Sequence, residues 1–202
     1  MCDENAIGRI IRQQINRLRT CFRATPHILL TEEDMRMHLC VLLLPHFQEH
    51  VRTEDGKHSI SIHSEVRWYG DGKLRYRSDI VIMDVSTLVV GTDKLKLPSK
   101  GYGFNVPKAI IELKFRRPNG PSDSAFRGSI QADLDRLTTI REQLAGFADN
   151  TCFHVVFFDK KNCIQPPSGH SEITLDYEFS AEENREQSHA PVGLRLQGMP
   201  DV

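Results

Sequence analysis

No apolar run in the chain, Val41–Leu44 included, approaches the roughly 20 residues that a membrane-spanning helix needs. An apolar stretch near the start is missing as well. The first 25 residues instead carry Asp3, Glu4 and five arginines, which is not the pattern of a secretory leader. The five cysteines, at 2, 21, 40, 152 and 163, form no C-x-x-C pair, so neither a disulfide framework nor a structural zinc site is expected. The nine histidines make no H-E-x-x-H and read as surface or packed side chains. A G-x-x-x-x-G-K-[ST] loop, a G-x-G-x-x-G turn after a strand and a G-x-S-x-G elbow are all wanting, which disfavours a nucleotide-driven motor, a Rossmann dehydrogenase and an α/β-hydrolase. A soluble, cytoplasmic protein with no membrane partner is the expectation.

What is present is ordinary globular composition, 39% hydrophobic and 26% charged over 202 residues, enough for one core but short for two. A single domain over 1–180 is expected, its core at about 31–160 with a helix over 5–23 added, followed by a polar tail over 181–202. The net charge of −1 names no partner. Its distribution says more: residues 1–144 hold 22 Lys/Arg against 18 Asp/Glu, and residues 145–202 hold 4 against 9. A basic half of that kind is able to face phosphates.

Ile7, Ile11, Ile15, Leu18 and Phe22 lie on one stripe of a helix whose other sides carry arginines. A second helix should start at Thr31, ahead of Glu32, Glu33 and Asp34, with Met35, Leu39, Leu42 and Leu43 inward. Cys40, Val41 and Leu44 widen the stripe until little of this helix can face water, and Pro45 should end or kink it. Ile60, Ile62, Val66 and Trp68 then alternate with polar residues in a strand, and Leu74, Tyr76, Ile80 and Ile82 do so in a second. A turn centred on Asp71 pairs Val66 with Tyr76 and Glu65 with Arg77. Residues 84–106 read as a long connection with a short strand over Thr87–Val90. A strand around Ala109–Phe115, a helix marked by Ile130, Leu134, Leu137 and Leu144, and strands over 152–158 and 173–179 complete an α/β sandwich with a mixed sheet.

One constellation carries chemistry. In AIIELKF, Glu112 and Lys114 project to one sheet face and Ile111, Leu113 and Phe115 to the other. Asp79, in YRSDIVI, joins them if the two strands lie side by side. Two carboxylates make a hard oxygen site suited to Mg²⁺ or Mn²⁺, which take one or two protein carboxylates and complete their shell with water. Such a cation activates water, and a neighbouring ammonium group stabilises the charge that develops. E-x-K by itself amounts to a cross-strand ion pair worth a fraction of a kcal/mol.

The acid-starting helix TEEDMRMHL, then DIVI at 79–82, IIELKF at 110–115 and the helix SIQADLDRL together resemble the PD-(D/E)xK nuclease superfamily, the restriction-endonuclease-like fold. The resemblance covers roughly residues 31–160. It implies a central mixed sheet flanked by helices and a Mg²⁺-dependent nuclease, with Mn²⁺ able to substitute, acting on nucleic acid and most readily DNA. By the same resemblance Asp79, Glu112 and the Leu113 carbonyl are metal ligands, Lys114 is the catalytic lysine and Glu32 is the additional acid, with Glu33 and Glu65 as competitors for that place. Ser78 stands where the superfamily has proline, and the 32 residues between Asp79 and Glu112 make a long insertion. Arg77, Arg116, Arg117 and Gln131 are candidate nucleic-acid contacts, and Asp135, one turn from Gln131, is a candidate brace for Lys114. A homodimer is a further expectation. The alternative function is a catalytically inactive module of the same fold that binds nucleic acid or a protein partner.

Overall fold

The structure is a computed structural model that describes residues 6–70, 73–88, 106–144, 149–168 and 171–180. The tail over 181–202 and the turn at Asp71 lie outside the described residues. Helix α1 (Ala6–Ala24) buries Ile11, Ile15, Leu18 and Phe22 and turns Arg9, Arg12 and Arg17 outward, as the stripe predicts. Helix α2 (Glu32–Phe47) begins at Thr31, where a capping box forms. The Thr31 hydroxyl accepts from the Asp34 N–H at 3.1 Å, and the Asp34 carboxylate accepts from the Thr31 N–H at 3.0 Å. Pro45 neither ends nor breaks this helix, because it falls in the last turn and the helix closes two residues later at Phe47. Only Met35, Leu39, Leu43 and Phe47 are buried on α2. Met37, Val41 and Leu44 face solvent, so the expectation of a nearly enclosed helix is corrected.

A two-residue hairpin, β1 (Val51–Arg52) and β2 (His58–Ser59), follows and is too short to leave a periodic signal. The remaining strands form one five-stranded mixed sheet in the order β3 (Ile62–Gly70), β4 (Lys73–Met83), β5 (Pro107–Arg116), β6 (Cys152–Asp159), β7 (Thr174–Phe179). β3, β4 and β5 run antiparallel to their neighbours, while β5, β6 and β7 run parallel. Helix α3 (Asp123–Leu144) makes the crossover from β5 to β6. α1 and α2 cover one sheet face, packing on Ile80, Ile82, Ile111, Leu113 and Val156. α3 covers the other, packing on Val81, Ile110, Phe153, Val155 and Phe157. A mixed α/β protein with helices on both faces of its sheet is therefore the architecture. In the long connection, Val85–Thr87 form a 3-10 turn capped by Asp84 where a strand was expected from Thr87. Residues 89–105 lie outside the described residues.

The β3–β4 register differs from the expected one. Trp68 pairs with Tyr76, Arg67 with Arg77 and Val66 with Ser78, two residues away from a Val66–Tyr76 pairing, with an irregularity at Trp68/Tyr69. Nor do the apolar residues of this hairpin share one face: Ile62, Ile80 and Ile82 pack beneath α1 and α2, whereas Val66, Trp68 and Tyr76 pack toward α3. The change of face on β3 falls at Glu65, whose φ of 56° lies in the left-handed region. One residue of that kind reverses the alternation that period-two reasoning assumes.

The feature that positions the site is where β4 leaves the sheet. The β4–β5 ladder runs from Met83–Pro107 to Ile80–Ile111 and stops. β5 continues alongside β6 as far as Arg116–Asp159. From Asp79 back to Lys73, β4 is paired with β3 alone among the described residues.

Candidate active site

Where the two strands separate, the Leu113 N–H has lost its neighbour on that side, and Asp79 Oδ2 takes its hydrogen bond at 2.8 Å. Asp79 thus closes the fork between β4 and β5 while its carboxylate stands at the head of the opening. Glu112, the next residue on β5, is 1% exposed and accepts from Arg136 Nη2 of α3 at 2.9 Å through Oε2. Its other oxygen, Oε1, is buried without a well-formed hydrogen bond, and the nearby Ser78 hydroxyl favours the charged form of the group. The Lys114 ammonium lies 2.7 Å from Asp133 Oδ2 and donates to the Leu113 carbonyl at 3.1 Å. Asp133, 1% exposed, also pairs with Arg136. Glu32 reaches in from the N-terminal end of α2, its Oε2 accepting from the Phe115 N–H at 3.3 Å.

These groups line a cleft of about 340 Å³ whose floor holds Glu32, Asp79, Glu112, Lys114 and Arg136 and whose wall is the Leu74–Arg77 segment of β4. A larger but shallow hollow, about 670 Å³, follows α1 past Arg9, Arg12 and Arg17. It holds no acid and no converging set of unlike groups, so the β4–β5 fork is the better candidate for chemistry.

The carboxyls of Glu32, Asp79, Glu112 and Asp133 lie about Lys114 and Arg136, with Arg75 and Arg77 on the cleft wall. Burial pushes the Glu112 carboxyl up to about 8, with Arg136 opposing the rise and Asp79 and Asp133 adding to it. Burial also raises Asp133, against the pull of Lys114 and Arg136. Glu32 is raised as well, again by burial first, with Lys114 opposing. Burial works against the Lys114 charge, but Asp133, Glu32 and Asp79 outweigh it and hold the ammonium protonated above its ordinary range. Perturbation of several neighbouring groups within one cleft is a mark of functional sites.

The structure therefore brings together Asp79, Glu112, Lys114, Glu32 and Arg77. Arg116 is a correction. It is fully buried, its Nε donating to Asp159 Oδ1 at 2.9 Å and its Nη1 to Asp123 Oδ1 at 2.6 Å, with its guanidinium 4.8 Å from the Phe126 ring centroid. A side chain so enclosed ties the ends of β5 and β6 to the start of α3 and has no face left for a phosphate. Arg117 is exposed at the end of β5 and does not line the cleft. Gln131 donates to Asp135 at 2.8 Å on the exposed side of α3, so neither braces Lys114. Glu33 is exposed, and Glu65 is held by Arg36 and, at 2.9 Å, by Arg77.

Asp133 and Arg136 are the residues that sequence reasoning missed. A signal for Asp133 existed: it falls three after Ile130 and four before Leu137, inside the buried stripe of α3, and an acid at such a position is buried only with partners.

The donor chemistry suits a hard divalent cation. Asp79 and Glu112 are carboxylates on one fork, the Leu113 carbonyl lies between them in sequence, and the buried Glu112 Oε1 has a lone pair to give. Among the described residues there is no ready cluster of three or more His, Cys, Asp or Glu. Mg²⁺ does not require one, since water fills most of its shell. No helix of the described residues is long and apolar enough to cross a membrane. Compared with family models, curated proteins and solved structures, the chain matches none of them.

Proposed function

We propose that the protein is a Mg²⁺-dependent nuclease with the restriction-endonuclease-like fold, hydrolysing phosphodiester bonds in DNA inside the cell. The observation that carries the reading is the fork between β4 and β5, where Glu32, Asp79, Glu112 and Lys114 line one cleft beside Arg77. The strand directions agree with it: two antiparallel pairings followed by a helical crossover to a parallel strand put the acid of one strand against the E-x-K of the next.

Asp79, Glu112 and the Leu113 carbonyl would hold the cation, which when bound supplies Lewis-acid activation of water and offsets phosphate charge. Lys114, kept protonated and oriented by Asp133, stabilises negative charge developing on the attacked phosphate. Glu32, with its raised pKa, is placed to take a proton from water at the open side of the cleft. Arg77, 60% exposed on the wall, is available to the substrate backbone. Cutting two strands calls for two sites, and the solvent-facing Met37, Val41 and Leu44 on α2 support a homodimer as part of the same proposal.

The test is cleavage of plasmid, single-stranded DNA and RNA with Mg²⁺ or Mn²⁺ and with EDTA, using the wild type and Lys114→Ala. Metal-dependent cutting that the variant loses is expected. A second reading, a nuclease-fold module that binds without cutting, is favoured by one observation: Arg136 already occupies a Glu112 oxygen. Binding of DNA with no cutting under any metal would select that reading instead.

A further inference from the structure

The hairpin of β3 and β4 is more than the wall of a cleft. Beyond Asp79, where β4 parts from β5, the two strands continue as a two-stranded ribbon with no further strand beside β4 among the described residues. The seven residues of β4 from Lys73 to Asp79 carry it about 20 Å at roughly 3.3 Å per residue. From Val66 to Ser78 the sequence holds Arg67, Lys73, Arg75 and Arg77 against the single acid Asp71. Arg67 and Arg77 are direct cross-strand partners, and Arg67, Arg75 and Arg77 are all exposed. Like charges set opposite each other on a strand pair are destabilising, so a fold gains nothing from this arrangement by itself. Arg77 is partly offset by Glu65 at 2.9 Å, while Arg67 makes no ion pair among the described residues. The apolar side of the ribbon is firmly anchored: Trp68 is 2% exposed, packs toward α3 and donates from Nε1 to the Ser78 hydroxyl at 2.9 Å. The ribbon is thus held stiffly on one side and presents arginines on the other, directly beside the cleft that Arg75 and Arg77 line.

We infer that this ribbon is the duplex-binding element of the protein and lies in the major groove of double-stranded DNA. The major groove, about 12 Å wide, admits a two-stranded β-ribbon, whereas the major groove of A-form RNA is too deep and narrow to do so. Arginines on one face of such a ribbon reach the phosphates that flank the groove. The inference rests on the nuclease reading only for its biological sense, since it names the substrate class of that site as duplex rather than single-stranded DNA. Its physical content is binding, and binding is tested without cleavage.

The experiment measures fluorescence anisotropy with a 20-base-pair mixed-sequence DNA duplex and with one of its strands alone, across a salt series in EDTA. The proteins are the wild type and Arg67→Ala/Arg75→Ala, with melting temperature as a folding control. The wild type should bind the duplex at least ~10-fold more tightly than the single strand. The double variant should remain folded by its melting curve, lose ~10-fold or more in duplex affinity, and have its log–log salt slope reduced by about 2, one unit for each phosphate contact removed. Equal or tighter binding to the single strand, or a folded double variant with unaltered affinity and slope, overturns the inference. Duplex binding through these arginines in a protein that cuts nothing would sustain the inference and overturn the nuclease reading. Loss of cutting on Lys114→Ala with no ribbon effect on binding would do the reverse.

Discussion

The pair formed by Lys114 and Asp133 gives the sharpest test of how the cleft is built. Lys114→Met keeps the aliphatic stem, removes the ammonium and leaves Asp133 with Arg136 as its remaining cation. Stranding a buried charge altogether costs about 3–5 kcal/mol. Because Arg136 stays and the Asp133 carboxyl, already raised by burial, can take up a proton, the loss should be nearer that of one unsatisfied buried group, about 1–3 kcal/mol. For a domain of this size each kcal/mol lowers Tm by about 2–4 °C, so a fall of roughly 2–12 °C is expected. Asp133→Asn removes the other half of the pair, and the double variant should cost less than the sum of the singles by about 1–2 kcal/mol. Cleavage should fall by about 10²–10³ in Lys114→Met, the scale for losing one positioned electrostatic group. Asp133→Asn should cut with a smaller loss, because the ammonium is still present but no longer held. Urea melts of the four proteins and cleavage rates on one substrate supply every quantity. A coupling energy of zero would refute the pairing, and undiminished cutting by a folded Lys114→Met protein would remove Lys114 from the chemistry.

Metal-free protein should lose stability as pH rises. Native Glu112 keeps its proton to about 8 while an unfolded Glu releases it near 4.3, so the native state binds the extra proton and ΔG of unfolding declines between those values and levels off above. Thermal melts in EDTA from pH 5 to 9 check this, and Glu112→Gln should flatten the decline. Arg116→Ala should cost about 3–5 kcal/mol by stranding Asp159, yet leave the salt slope of DNA binding in the folded protein unchanged. A reduced slope would restore Arg116 as a phosphate contact. Millimolar Ca²⁺ at pH 8 should raise the wild-type Tm, and Asp79→Asn should abolish most of that rise. An equal Ca²⁺ shift in the variant would take Asp79 out of the ligand set.

How much of this was legible in the chain depends on distance along it. The α1 stripe, the Thr31 cap and the strands around Ile80 and Ile111 are local patterns and are found as expected, and Asp79, Glu112 and Lys114 line one cleft. Period-two reasoning failed at Glu65, because a single left-handed residue moves Trp68 to the opposite face without altering the composition that the strand reading rests on. Arg116 and Arg117 are adjacent residues of one type, and the contacts of Arg116 with Asp159, 43 residues away, and with Asp123 make it a buried tie while Arg117 is a surface side chain. Gln131 and Asp135 against Asp133 and Arg136 is a matter of helical phase. The stripe through Ile130, Leu134 and Leu137 admits Asp133 on its buried side, and from there it reaches Lys114.

The fork also explains why structure and chemistry are hard to separate at Asp79. A strand that leaves a sheet exposes a row of unpaired amides, and in this protein the first of them, Leu113 N–H, is capped by the same carboxylate that heads the cleft. The cap fixes the side chain before any ligand arrives, and it does so with one oxygen. Glu112 is the complementary case: one oxygen is clasped by Arg136 and the other lies buried without a well-formed hydrogen bond. Burial drives one of these acids, Glu112, up to about 8. A fold that wanted only a stable fork would place an asparagine or serine there, since either can accept the Leu113 hydrogen bond without the burden of a buried charge. Carboxylates at both positions fit the proposal that a divalent cation is held between them, and the arginines of the β3–β4 ribbon beside the cleft fit the proposal that it meets a nucleic-acid backbone.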